Sequence, residues 1–201
     1  MIIGLCGLKG SGKDTVANIL IKNHNFVKLS FAGAVKDVAS NIFGWDREMM
    51  EGLTTKSRNF REEQDIWWSN KLERNITPRN MMQYIGTDLF RDNFHPDIWV
   101  SVVERQILKN KLLKINTVIT DCRFENEIKM IRENCGYIIH VEKDKPYWFD
   151  DYKNGKINEI ENVHKSELEW IRSEIDLKIK NDSDLEELEN IINLNLNILE
   201  E

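Results

Sequence analysis

The chain has 201 residues, 41% hydrophobic and 31% charged, so it is long enough for one globular domain with an insertion. A net charge of −6 and a pI of about 5.4 argue against a nucleic-acid-binding protein, which usually carries a basic surplus. No apolar run approaches the roughly 20 residues of a membrane span, and the first residues lack the charged region of a signal peptide. We therefore expect a cytoplasmic protein with no nucleic-acid or membrane partner, whose three cysteines are small buried hydrophobic residues.

The chain begins with a short apolar run that leads into a glycine-rich loop. Residues 2–6 predict a strand, and Gly7 to Lys13 fit the Gly-x4-Gly-Lys spacing of a phosphate-binding loop (P-loop). Glycines let backbone N–H groups point at phosphate oxygens, the following helix offers its positive dipole end, and Lys13 reaches the β and γ phosphates. The loop predicts a nucleoside triphosphate site with Mg²⁺. Asp14 stands where serine or threonine is usual and Thr15 follows it, so the direct ligand of the metal stays open.

Helical patterns dominate the next hundred residues. Alternation predicts a strand over residues 26–31, and apolar spacings of three and four predict a helix over residues 35–43. Residues 44–76 are charged and irregular in pattern, and we expect them to form a mobile segment. Thr77 is a favourable helix cap and Pro78 a favourable first residue for the helix that follows.

The rest of the chain alternates between strand and helix patterns. The predicted elements are a helix from Asp97 to about Lys114, a strand at 117–121, a helix at 126–134, strands at 137–142 and 176–180, and a last helix opened by the capping box Ser183-Asp184-Leu185-Glu186. Five short strands alternating with helices predict an α/β fold with a parallel sheet covered on both faces. Ligands of such sheets bind beyond the carboxyl ends of the strands.

Asp121 ends one of these predicted strands, as the acid of a Walker B motif does. It could hold Mg²⁺ through water, because Mg²⁺ keeps most of its hydration shell; capping of the next helix is the alternative role. Arg123 follows two residues later, where it could neutralise a transferring phosphoryl group.

A second polar string, residues 77–91, suits the recognition of an acceptor. Arg79 and Arg91 could form bidentate contacts with a phosphate. Gly86 lies inside the predicted helix, where it costs roughly 1 kcal/mol relative to alanine. Either a ligand that approaches the backbone or tight helix packing would explain this glycine.

Together these strings resemble the deoxynucleoside monophosphate kinases of bacteriophages and large DNA viruses, which are P-loop NMP kinases. The matching segments are Gly7–Thr15, Thr77–Arg91, Trp99-Val100, Asp121–Glu127, His164-x-Ser166-Glu167 and Ile179–Asp182. Because that family is related in architecture to adenylate kinase, the resemblance implies a P-loop NTPase fold with a five-stranded core (about 1–31, 115–142 and 166–201), a helical NMP-binding insertion (about 32–114) and a lid (about 143–165). It implies phosphorylation of a deoxynucleoside monophosphate by ATP with Mg²⁺ for DNA precursor synthesis. It further implies a homodimer and, for a viral protein, location in the host cytoplasm.

The resemblance also implies roles for individual residues. Those on the ATP phosphates would be Lys9, Gly10, Ser11, Gly12, Lys13, Asp14 and Thr15. Those around the monophosphate would be Lys36, Arg79, Gln83, Gly86, Thr87, Asp88, Arg91 and Trp99. Arg123 would lie between the two nucleotides and act in catalysis with Lys13. Thr15, Asp14 and Asp121 are the candidate metal ligands, and Trp148 of the lid could cover a base.

Three alternatives remain at this point. Phosphomevalonate kinases also have an aspartate after the P-loop lysine, but residues 77–91 do not support that assignment. Asn70-Lys71-Leu72-Glu73 imitates the guanine-reading motif of a GTPase switch, yet it ends in glutamate and precedes the strand of Asp121, which is the wrong order. A non-catalytic ATP-binding or DNA-associated protein is disfavoured by the acidic charge balance.

Overall fold

The computed structural model describes residues 1–158, 160, 163 and 165–200, without the side chains of residues 165, 166 and 200. His164 of the predicted motif, and with it part of the predicted lid, lies outside the described residues. Five strands form a parallel sheet in the order β2-β3-β1-β4-β5. They are β1 (Ile2–Cys6), β2 (Phe26–Leu29), β3 (Asn116–Ile119), β4 (Tyr137–Glu142) and β5 (Leu177–Lys180). The predicted α/β fold is confirmed, and β1, the strand that leads into the P-loop, is the central one.

Helices connect the strands. The α-helices are α1 (Lys13–His24), α2 (Phe31–Phe43), α3 (Thr55–Glu62), α4 (Ile66–Leu72), α5 (Pro78–Gln83), α6 (Ile98–Leu112), α7 (Glu125–Glu133), α8 (Phe149–Lys153), α9 (Lys165–Leu168) and α10 (Leu185–Glu200). Short 3₁₀ turns cover Met49–Glu51 and Glu169–Arg172, and a π-helical segment covers Tyr84–Asp92 directly after α5. Within the described residues, no helix combines the length and apolar character needed to cross a bilayer.

The chain divides into two compact units, residues 1–30 with 103–201 and residues 31–102. The first unit contains the sheet, and its core lies where α1 and α10 cover β1 and β4. Every residue of β1 is buried, as expected for a parallel strand covered on both faces. Full burial of each such Ile or Leu side chain contributes roughly 1.5–3 kcal/mol, so this core fixes the strand that carries the P-loop.

The second unit is helical, and its core corrects the prediction for residues 44–76. That segment is not irregular, because α3 and α4 form there. The side chain of Thr54 accepts a hydrogen bond from the backbone N–H of Ser57 at 3.1 Å and starts α3. The side chain of Asp65 accepts from the N–H of Trp68 at 3.0 Å and starts α4. The segment is anchored by Trp45, which is buried and donates its indole N–H to Asp65 at 2.8 Å.

Four local predictions also need correction. Phe31 is not the end of β2 but the first, buried residue of α2. Asp121 lies two residues beyond the end of β3. At the start of α10, Asp184 and not Ser183 accepts a hydrogen bond from a helix N–H, that of Glu187, at 2.9 Å. Cys135 is exposed, because it follows the end of α7 in a left-handed conformation with φ of 58°, whereas the other two cysteines are buried as expected.

Candidate active site

The P-loop has a conformation that only glycines allow at two positions. Gly7 has φ of 148°, and a Cβ atom there would lie 2.4 Å from the carbonyl oxygen of Val141. Gly12 has φ of 96°, and a Cβ atom there would lie 2.1 Å from the side-chain nitrogen of Asn181. Both positions combine a left-handed backbone with close neighbours, so larger residues are excluded by two independent effects. Steric crowding and backbone conformation therefore explain why glycine occupies both positions of the loop.

The start of α1 is open to an anion. Gly12 is the N-cap residue of α1. Because it has no side chain, it makes no side-chain hydrogen bond to the first N–H groups of the helix. Such a helix start attracts phosphate through its N–H groups and its dipole. The loop is held in place from the end of β5, where the side-chain amide of Asn181 donates to the carbonyl oxygen of Ser11 at 2.9 Å.

The side chain of Lys13 contacts the backbone of the P-loop itself. Its ammonium group donates to the carbonyl oxygens of Gly7 at 2.7 Å and Leu8 at 2.9 Å. Burial lowers the pKa of Lys13, the charge of Arg123 lowers it further, and the carboxylate of Glu167 opposes both effects. The lysine therefore belongs to one charged cluster with Arg123 and Glu167.

Arg123 is held by two carboxylates, one at its backbone and one at its side chain. Glu127, which is only 2% exposed, accepts hydrogen bonds from the N–H groups of Arg123 at 2.8 Å and Phe124 at 3.1 Å. Glu167 accepts from the Arg123 guanidinium at 3.0 Å and, with its other oxygen, from the backbone N–H of Lys9 at 3.1 Å. The structure thus brings together the P-loop and Arg123, two elements that the sequence placed in one site.

The three candidate metal ligands lie on different local structures. Asp14 and Thr15 are exposed in the first turn of α1, and Asp121 is half-exposed in the loop after β3. One carboxylate oxygen of Asp14 is 2.8 Å from the ammonium group of Lys28 on β2, a partner that sequence reasoning did not identify. Within the described part of the chain, no group of three His, Cys, Asp or Glu side chains is placed to hold a metal ion.

In the second unit, Lys36 is part of a network of ion pairs. Its ammonium group is 2.6 Å from a carboxylate oxygen of Glu51, whose other oxygen accepts from Arg47. Burial would raise the pKa of Glu51, but the hydrogen bonds from Lys36 and Arg47 outweigh burial and lower it. This network holds Lys36 close to the turn Met49–Glu51.

Arg79 has a guanidinium neighbour that sequence reasoning missed. Arg79 is paired with Glu62. Arg61, on the same helix as Glu62, lies against Gly52, where a Cβ atom would be 2.4 Å from one terminal nitrogen of its guanidinium. Its Nε atom is buried and has no hydrogen-bond partner among the described residues. Burial lowers the pKa of Arg61, and the nearby charge of Arg79 lowers it further, so the two guanidinium groups share one neighbourhood.

The other predicted acceptor residues are Gln83 at the end of α5, four residues of the π-helical segment and Trp99 of α6. Gln83, Thr87 and Asp88 are exposed and Arg91 is half-exposed. Trp99, in contrast, is 3% exposed and donates its indole N–H to the carbonyl oxygen of Gly86 at 2.8 Å, so it supports the backbone from the core of the unit.

Trp148, the predicted lid residue, is half-exposed and precedes α8. The neighbouring Phe149 is buried, and its ring stacks on His140 with a centroid distance of 5.8 Å. The segment that contains Trp148 is therefore anchored on β4 through Phe149.

Comparison with known proteins identifies the family. A family model described as deoxynucleotide monophosphate kinase matches residues 46–192. The chain belongs to the deoxynucleotide monophosphate kinase family. It is similar to a putative deoxynucleotide monophosphate kinase of Acanthamoeba polyphaga mimivirus, with 34% identity over 71% of this chain and 74% of the relative. It is also similar to the deoxynucleotide monophosphate kinase of Enterobacteria phage T4, with 26% identity over 98% of this chain and 99% of the relative.

Among solved structures, dephospho-CoA kinase from Campylobacter jejuni has a similar fold, with a TM-score of 0.50, 15% identity, and coverage of 98% of this chain and 96% of that chain. Membership of the deoxynucleotide monophosphate kinase family confirms the predicted resemblance and the prediction of a P-loop kinase that acts on small nucleotides. It does not favour the phosphomevalonate kinase or GTPase alternatives.

Several residues at these sites were not predicted. Glu167, Glu127 and Asn181 occur in segments that carried the family resemblance, so the segments indicated them without giving their contacts. Arg61 was not among the residues predicted around the monophosphate.

Proposed function

We propose that this protein transfers the γ-phosphoryl group of ATP to the 5′-phosphate of a deoxynucleoside monophosphate, which forms ADP and a deoxynucleoside diphosphate. The observation that carries the proposal is the cluster around the P-loop: an uncapped helix start, Lys13 within the loop, and Arg123 joined to the loop through Glu167. This arrangement supplies N–H donors and two cations to a chain of phosphates, and it suits a kinase of the assigned family.

In the ATP site, Lys13 is the residue best placed to bind the phosphoryl group while it is transferred. Its hydrogen bonds to two loop carbonyls are bonds between a charged donor and neutral acceptors, which phosphate oxygens can replace with stronger charge-assisted bonds. Arg123, with five N–H donors, would neutralise charge that develops on the phosphoryl group.

The donor residues also fit a magnesium ion held mainly by phosphate and water. Asp14, Thr15 and Asp121 supply two carboxylates and one hydroxyl, and a Mg²⁺ ion bound with ATP needs only one or two ligands from the protein. When bound, Mg²⁺ would neutralise the charge of the phosphate oxygens. Asp14 also forms an ion pair with Lys28, which holds the positive charge of Lys28 beside the first turn of α1.

On the acceptor side, the second unit would bind the monophosphate. Arg79 and Arg61 would hold its phosphate, because two neighbouring guanidinium groups favour a bound anion, as does the buried Nε donor of Arg61, which has no partner in the part of the chain that the structure describes. Gln83, Gly86 and Thr87 would meet the rest of the nucleotide. In this proposal residues 32–114 form the NMP-binding part and residues 143–165 the lid.

The acceptor needs no general base. A phosphate monoester is largely a dianion at pH 7 because its second pKa is about 6, so its oxygen can attack the γ-phosphorus without losing a proton first. Catalysis then consists of positioning and charge neutralisation.

The test is ADP release by the purified protein with Mg-ATP and a panel of deoxynucleoside monophosphates, ribonucleoside monophosphates and phosphomevalonate. Turnover with one or more deoxynucleotides is expected. Turnover with phosphomevalonate alone would overturn the proposal, as would ADP release that no acceptor stimulates.

A further inference from the structure

Glu167 joins two elements of the donor site that are distant in sequence. One carboxylate oxygen accepts the backbone N–H of Lys9 at 3.1 Å, and the other accepts from the guanidinium of Arg123 at 3.0 Å. The side chain of Glu167 is 23% exposed and that of Arg123 is 43% exposed, so the ion pair is partly shielded from water. A carboxylate is therefore bound at the P-loop.

The position of Lys9 makes this contact informative. Lys9 is at the tip of the turn closed by the hydrogen bond from the N–H of Ser11 to the carbonyl oxygen of Leu8 at 3.1 Å. It lies in the half of the loop away from the start of α1, whose N–H groups are the anchor for phosphate. A group that accepts hydrogen bonds from both Lys9 and Arg123 therefore lies at the Lys9 end of the loop, away from the start of α1.

The charges around this position favour a bound anion. Burial and the nearby charge of Arg123 lower the pKa of Lys13, and the carboxylate of Glu167 opposes this shift. A terminal phosphate would offer the same kind of acceptor oxygens to the same donors, with more charge. Glu167 and such a phosphate would repel each other at close range, so they would compete for these donors.

We propose that Glu167 is an anionic stand-in for the terminal phosphate of ATP, which holds Lys9 and Arg123 in the ligand-free protein and gives up both partners when ATP binds. Glu167 is then a positioning residue: it keeps Arg123 at the loop and its displacement reduces the affinity for ATP. This role of Glu167 rests on the proposed ATP site, and it makes Glu167 a residue that opposes the binding of ATP.

The test measures dissociation constants by isothermal titration without acceptor, for ATP and for ADP. Glu167→Gln keeps the size of the side chain and removes its charge. We expect E167Q to bind ATP about tenfold more tightly than the wild type and to gain clearly less for ADP, which lacks the terminal phosphate. Unchanged or weaker ATP binding by E167Q would overturn the proposal, as would an equal gain for ATP and ADP.

Two variants separate the local charge from other effects. Glu186→Gln makes the same change of net charge at an exposed position in the first turn of α10, and its ATP affinity should stay at the wild-type value. Glu167→Asp keeps the charge but shortens the side chain, so it should not bind ATP more tightly; a gain equal to that of E167Q would assign the effect to altered packing and contradict the proposal. If the wild type itself does not bind ATP, the proposed function fails and not this inference alone.

Discussion

The indole N–H of Trp99 donates to the carbonyl oxygen of Gly86 at 2.8 Å. In a regular α-helix this oxygen would accept from a backbone N–H four residues later, but Gly86 lies in the π-helical segment, where that pattern is altered. The buried indole therefore stabilises a local irregularity in the segment that carries four of the eight residues predicted around the monophosphate. Irregular turns of this kind occur frequently at functional sites.

Gly86→Ala tests whether a ligand approaches this backbone. A Cβ atom at position 86 would lie 3.5 Å from the nearest atom of Val35, an ordinary contact, so packing does not require the glycine. We expect a melting temperature equal to or above that of the wild type, because alanine is favoured over glycine in helices by about 1 kcal/mol. We also expect the KM for the monophosphate to rise roughly fivefold or more, with ATP binding unchanged. An unchanged KM would show that no ligand contacts the backbone here.

Lys13→Ala should abolish transfer and leave the fold intact. The ammonium group donates to two carbonyl oxygens of its own loop, so its loss should remove charge stabilisation of the bound phosphates and have little effect on the stability of the fold. Turnover should fall by at least roughly 100-fold, measured as ADP release, while circular dichroism and melting temperature stay close to those of the wild type. The control is Lys22→Ala in the last turn of the same helix, which should keep full activity. Turnover of K13A near the wild-type rate would refute the assignment of the donor site.

Arg61→Lys tests the second guanidinium of the acceptor site. Lysine keeps the charge but loses the Nε donor and the planar fork that binds a phosphate through two hydrogen bonds. We expect the KM for the monophosphate to rise about tenfold, with the dissociation constant of ATP unchanged. Arg58→Lys is a matched control on the same helix, since Arg58 donates to the carbonyl oxygens of Gly52 and Leu53 at the helix start. A loss of melting temperature in R61K without a change of KM would give Arg61 a structural role only.

His140 should make the protein less stable in mild acid. Its pKa is lowered from 6.5 to about 4, mainly by burial and in addition by nearby lysines, against the opposing charge of Glu142. Between pH 6.5 and 4 the unfolded chain therefore binds a proton that the folded chain does not, so the free energy of unfolding falls as the pH falls through this range. This group should account for roughly 2 kcal/mol of that loss.

Urea unfolding at pH 7 and pH 5 measures this effect. His140→Gln should reduce the difference in stability between the two pH values, whereas His95→Gln, at an exposed position, should not. A slope against pH that is the same in H140Q and the wild type would contradict the prediction.

The parts of the fold that depend on local pattern could be predicted from the sequence. The boundaries of β1 and β4 agree with the predicted residues, because continuous apolar runs between turn residues have few alternative structures. Residues 44–76 were misjudged, since α3 has a single apolar residue and α4 is only seven residues long. Both helices depend on short side-chain caps, and the buried Trp45 bonds to the cap of α4.

In the candidate active site, too, local sequence patterns could be predicted but long-range contacts could not. The residues of the P-loop and Arg123 could be predicted, because their type and spacing carry their chemistry. The contact of Glu167 with Lys9 joins residues 158 positions apart, and only the folded chain brings them together. Burial of Trp99 likewise follows from the packing of the second unit, which the spacing of aromatic residues alone does not give.

The hydrogen bond from Asn181 to the carbonyl oxygen of Ser11 has a consequence for synthesis of the protein. The two residues are 170 positions apart, so the P-loop is synthesised long before Asn181. A nascent chain therefore carries Lys13 and its glycines long before the residue that braces the loop exists. The ability to capture ATP should arise only once β5 has been synthesised and pairs with β4, so that nascent chains without β5 would not sequester the nucleotide.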